Sequence, residues 1–169
     1  MVALGRALLV TLLAAPAIAG SDEPIRQDLA GLRLGDTLED VQMIYPPATD
    51  WPSWVDPRGR VKRYKIERGM AKAFPTWTHQ MNLGFKRGKL VEIQLIYSAE
   101  RTRQKPHEEL AADLALKYGP PQRDDARFWW SDGETVLRVF PAEIPVVREG
   151  QKAVEWRTSE QVVREDLYN

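Results

Sequence analysis

The chain has 169 residues, 24 basic and 24 acidic side chains, a formal net charge of zero and no cysteine. Without thiols it has no disulfide framework, thiolate-held zinc, iron–sulfur cluster, cysteine nucleophile or lipid-modified N-terminal cysteine. A hydrophobic share of 43% with 28% charged residues is the composition of a globular domain and not of a disordered tail.

The first residues read as a secretory signal peptide. Arg6 supplies the positive start, Ala7 to Ala15 is apolar except for Thr11, and Ala17-Ile18-Ala19 is a small-x-small cleavage site. The apolar run falls short of the roughly 20 residues needed to span a bilayer. Residues 1–19 are therefore expected to be removed. Residues 20–169 are expected to form one α+β domain in the periplasm or outside the cell, with two pseudo-repeats at 32–98 and 104–158.

Asp36-Thr37-Leu38-Glu39 reads as a capping box, with a side-chain acceptor at Asp36 and a glutamate three residues on. Leu38, Val41 and Tyr45 then form a helical stripe that Pro46-Pro47 stops. Residues 48–59 read as a proline-rich loop carrying Trp51 and Trp54. Three strands follow, by period-two alternation: Tyr64 and Ile66; Met81, Leu83 and Phe85; Val91, Ile93, Leu95 and Tyr97. Arg87-Gly88 is a tight hairpin turn between the last two.

A second helix is predicted from Pro106, with Glu108 and Glu109 in its first turn and Leu110, Leu114 and Tyr118 as its stripe. Gly119-Pro120-Pro121 ends it. Three more strands are expected at 127–130, 135–140 and 153–157, with Asp132-Gly133 as a hairpin turn. A short helix is expected in the tail, with Val162, Val163 and Leu167 inward. The predicted order is α-β-β-β-α-β-β-β, a duplicated helix plus three-stranded antiparallel unit, with both helices on one face of the sheet.

The segment Gly31-Leu32-Arg33-Leu34-Gly35-Asp36-Thr37-Leu38-Glu39-Asp40-Val41 resembles the Gly-x-Thr-x-x-x-Val helix start of the SmpA/OmlA family, through Gly35, Thr37 and Val41. Phe85-Lys86-Arg87-Gly88-Lys89-Leu90 is similar to the F-x-x-G-x-L hairpin common in such domains. The resemblance covers roughly 70 residues. It implies the β-lactamase-inhibitor-protein type of fold and extracytoplasmic, non-enzymatic binding. The chain departs from those lipoproteins in having no cysteine to lipidate and a second unit.

No catalytic motif stands out. His79 and His107 lie outside any His-Glu-x-x-His pattern, and the serines lack a Gly-x-Ser-x-Gly setting. The carboxylate pairs Glu39-Asp40, Glu108-Glu109 and Asp124-Asp125 are sequence neighbours, which read as helix starts and solvated turns. Two features rise above this background. Residues 58–89 hold ten basic residues and one acid, whereas 20–57 hold two basic and eight acidic. Strand alternation places Arg63, Lys65 and Lys86 on the sheet face away from the helices. Those cations read either as a surface for an anionic partner or as charges paired within the fold. Trp51-Pro52-Ser53-Trp54 and Phe74-Pro75-Thr76-Trp77 set rings beside prolines, either as exposed platforms or as covers of the core edge.

The reading is an exported, non-enzymatic binding module for an envelope protein or anionic envelope component. It would act through Trp51, Trp54, Arg63, Lys65, Trp77 and Lys86, with no cofactor, no metal and no nucleic-acid partner. The alternatives are an envelope hydrolase using His79 or His107 with a carboxylate, and a cell-wall glycan binder acting through tryptophans.

Overall fold

Period-two alternation governs more of this chain than the helical stripes do. The computed structural model describes residues 23–165. The expected signal peptide (1–19) and Leu167 lie outside them. Among the described residues, β1 (Asp28–Leu29) and β2 (Leu32–Arg33) form a two-stranded ribbon ahead of α1 (Leu38–Ile44). A four-stranded meander follows: β3 (Ser53–Val55), β4 (Lys62–Glu67), β5 (Thr78–Lys86) and β6 (Lys89–Tyr97). Then come α2 (Ala99–Gln104) and α3 (His107–Tyr118). A second meander has β7 (Gln122–Asp124), β8 (Arg127–Ser131), β9 (Thr135–Arg148) and β10 (Gln151–Arg164). The two meanders join through β6 and β10 into one antiparallel eight-stranded sheet, ordered β3-β4-β5-β6-β10-β9-β8-β7.

The expected α+β unit of one helix and three strands, repeated, is thereby overturned: the fold is mostly β, and four strands follow each helical segment. The physical reasons lie in particular segments. β3 runs through the proline-rich stretch read as a loop, and β7 is short and charged; both are edge strands, held from one side only. β9 continues through Pro141 and Pro145. It can do so because β8 pairs only with residues 136–139, leaving that side of β9 an open edge where no N–H is needed. The tail helix is also corrected. Residues 159–163 are strand, bonded to β6 on one side and β9 on the other.

The cap of α1 lies one residue later than the sequence pattern predicts. Thr37 is the N-cap. Its Oγ1 accepts from the Asp40 N–H at 3.2 Å, and Asp40 accepts from the Thr37 N–H at 2.8 Å. Asp36 instead accepts from the Arg33 N–H at 2.8 Å. Thr37→Ala is expected to cost about 1 kcal/mol, read as a shift in the midpoint of urea unfolding at unchanged slope. The Arg87-Gly88 hairpin forms as predicted, with φ of 52° and 76°, the paired positive values that a two-residue turn between twisted strands requires.

Ladder partners project to the same side. One row reads Tyr64, Leu83, Ile93, Val162, Leu137, Trp130, and the next Ile66, Met81, Leu95, Glu160, Val139, Phe128. Val41 and Tyr45 of the first helical segment and Ala111, Leu114 and Tyr118 of α3 pack on this side to make the main core. Trp130 is buried here, its indole N–H donating to the Gly119 carbonyl at 2.8 Å. Beyond residue 140, β9 and β10 leave the sheet as a two-stranded arm. On one side of the arm Ala142 and Ile144 pack with Ile96 in a second, smaller cluster. On its other side Val147, Val154 and Trp156 are exposed.

The segment before β1 is tied down by the β8–β9 turn. Asp132 accepts from the backbone N–H groups of Ile25, Glu134 and Thr135 at 2.8–3.0 Å, and Ile25 is buried. Burial raises the Asp132 pKa, but those N–H groups outweigh it, and the net shift is downward. A carboxylate with a depressed folded pKa contributes stability above its unfolded value, about 3.9, and loses it as pH falls through the folded value. Limited proteolysis at residues 23–27 is therefore expected to be slow at pH 6 and to accelerate below about pH 4. Asp132→Ala should make it fast at both.

Candidate functional site

The sheet face turned away from the main core carries a polar row: Lys65, Asn82, Gln94, Gln161, Arg138, Trp129. These side chains hold one another. Gln80 Nε2 donates to Asn82 Oδ1 at 2.8 Å, Asn82 Nδ2 to Gln94 Oε1 at 2.9 Å, and Gln94 Nε2 to Ser159 Oγ at 2.9 Å. Asn82 and Gln94 each give and receive, so the chain of bonds runs in one direction from β5 through β6 to β10. A second set lies beside it. Glu92, which is buried, accepts from Arg63 Nη2 at 2.9 Å and from Gln161 Nε2 at 2.8 Å. Glu92 fits because its ladder neighbour is Gly84: a Cβ there would come within 3.0 Å of Glu92 Cβ and Oε2 and within 3.1 Å of Val61 Cγ1.

Four of the expected site residues, Trp54, Arg63, Lys65 and Lys86, share this face. Trp54 lies opposite Arg63 at the β3 edge and is 45% exposed. Arg63 is committed to Glu92, and Lys65 Nζ lies 2.7 Å from Glu67 Oε1. Lys86 lies opposite Lys89 beside the hairpin turn, at the end of the basic stretch. The other two belong to packing. Trp51 is 9% exposed, donates to the Met70 carbonyl at 3.0 Å and meets Tyr64 edge-on. Trp77 is half-buried against Tyr97, ring centroids 5.2 Å apart at 85°. Phe74 likewise leans on Tyr45.

At the other end of the face, Trp129, Phe140 and Gln161 line a hollow of about 500 Å³ with exposed Arg138 and Arg127 at its rim. Arg138 Nη1 reaches Gln161 Oε1 at 3.4 Å. Sequence reasoning passed over these residues and the amide row. The available signal was the recurrence of Gln and Asn at the polar positions of strands, where Lys, Glu and Thr are the ordinary occupants.

Of the two histidines, His107 sits apart from this polar row, whereas His79 lies within electrostatic reach of Lys65, Glu67, Glu155 and Arg157. His107 Nδ1 lies 3.0 Å from Glu108, and its ring leans on Phe128. Burial lowers the pKa of His79, with Arg157 adding to the effect. Among the described residues no three His, Cys, Asp or Glu side chains come together to hold a metal ion, and no helix is long and apolar enough to cross a membrane.

Comparison with protein-family models, curated proteins and solved structures finds no match to this chain.

Proposed function

We propose that this protein is an exported, non-enzymatic binding module that holds an envelope protein against the sheet face free of helix packing. The observation that carries the reading is the amide row. Hydrogen-bonding side chains locked to one another present a fixed pattern of polar groups, so little rotamer entropy is lost when a partner docks. Arg138 and Lys65 border the row and Trp54 and Trp129 flank it, the aromatic and cationic mixture that protein contact surfaces favour. The signal-peptide pattern and the resemblance of Gly35–Val41 to SmpA/OmlA proteins support an extracytoplasmic setting.

The test uses the mature chain, residues 20–169, as bait with detergent-solubilised envelope extract. Three forms are compared: native, Lys65→Glu with Arg138→Glu, and Glu109→Lys on the exposed side of α3. A protein held by the native form and by Glu109→Lys, and lost from the double variant, supports the reading. Equal retention by all three, or none by any, overturns it.

A further inference from the structure

A second concavity, on the helical side of the sheet and independent of the face just described, has the make-up of a small-ligand site. It lies between the segment ahead of β1, the loop at Trp77, the end of β6 and helices α2 and α3, and encloses about 730 Å³, within the usual range for such sites. Its apolar wall is Leu29, Leu110 and Leu114, with Trp77 set edge-on to Tyr97.

The charges inside it are unevenly matched. Glu160, 3% exposed, accepts from the Tyr97 hydroxyl at 3.0 Å on Oε2 and is ion-paired with Arg26 on Oε1, which has no hydrogen bond of its own. Arg101 has no such partner. Its guanidinium sits over the Tyr97 ring, 5.9 Å from the centroid, with no ion pair or side-chain hydrogen bond among the described residues. The buried Nε of Arg26 also lacks a hydrogen-bond acceptor. The two remaining acids of the lining, Asp28 and Glu100, are exposed at the rim. The interior thus offers guanidinium N–H donors beside an aromatic and aliphatic wall.

We infer that this cleft binds a small carboxylate carrying an apolar or aromatic body, with the carboxylate on Arg101 and the body against Trp77, Leu110 and Leu114. A planar guanidinium already positioned over Tyr97 matches a carboxylate in two parallel hydrogen bonds. The same chemistry is offered by a free aryl-alkyl acid and by the C-terminal residue of an apolar peptide. Bound carboxylate would complete the donor side of Arg101 without disturbing the Arg26–Glu160–Tyr97 group.

The probes are 3-phenylpropionate, a short peptide ending in phenylalanine with a free carboxylate, and the same peptide amidated. Binding is read from the indole N–H resonance of Trp77, assigned through Trp77→Phe. Saturable shifts with Kd below about 1 mM are expected for at least one of the two acids, and which one binds names the source. The amidated peptide should bind at least tenfold more weakly. Arg101→Ala should abolish the response and Arg101→Lys should restore part of it. Unchanged backbone spectra establish that the variants are folded; Arg101→Gln replaces Arg101→Ala if that variant is not. No shift with either acid, equal binding of the amide, or unaltered affinity in the alanine or glutamine variant overturns the inference.

Discussion

Arg26→Met is expected to destabilise the protein by about 2–4 kcal/mol, below the upper end for severing a buried ion pair because Arg26 is itself 30% exposed. The reason lies in the register. Glu160 occupies a core row, between Leu95 and Val139, where the alternation of β10 would ordinarily place an aliphatic side chain. Its carboxylate is compensated there by the Tyr97 hydroxyl and by Arg26. Removing the guanidinium leaves a buried charge with one neutral donor. The thermal midpoint should fall by about 4–16 °C, at 2–4 °C per kcal/mol for a chain of this size. Adding Glu160→Gln to Arg26→Met should recover much of the loss, because a neutral amide no longer needs the counter-charge. A double variant as unstable as the sum of its parts would show that the two side chains do not act as a pair.

Gly84→Ala carries the second large effect, about 1–3 kcal/mol. The backbone at residue 84 tolerates any L-residue, so the cost is one of space: the added methyl meets Glu92 and Val61 at 3.0–3.1 Å. Glu92 is the part that can move, and moving it draws its carboxylate away from Arg63 and Gln161. The variant should therefore lose stability and also the captured envelope partner, whereas a core truncation of equal cost, such as Ile66→Val with Val139→Ala, should lose stability alone. Retention of the partner by a folded Gly84→Ala protein would detach the Glu92 group from binding.

What the sequence disclosed and what it hid follow from how far each signal reaches. Arg87-Gly88 and Asp132-Gly133 were legible because a turn's backbone demands are met within a few residues. The stripe on α3 was legible for the same reason, as was the alternation in β4, β5 and β6. The tail was misread because Ser159, Glu160 and Gln161 are all buried, and each is made tolerable by a partner about 60 residues away or more, on β6. Composition at one site does not display a hydrogen bond that distant. Trp51 and Trp77 show the same limit from the other direction. Prolines beside a ring foretell rigidity, but the choice between solvent and core rests on whether Tyr64 and Tyr97 arrive to meet it. Four of the six expected contact residues do lie on the helix-free face, and the amide row that joins its two ends was readable only once strand register was known.

The joining of the two meanders through β6 and β10 has a consequence for biogenesis. β10 stands fifth among the eight strands of this sheet in space but comes last of the eight in chain order. A chain synthesised or exported N-terminus first carries β5 and β6 with one side of β6 unpaired until β10 emerges, and Tyr97 without the carboxylate it serves. The sheet therefore closes only once β10 is available to pair with β6. In that interval the exposed edge of β6, with its run of Val91, Ile93, Leu95 and Ile96, is the segment most in need of a chaperone.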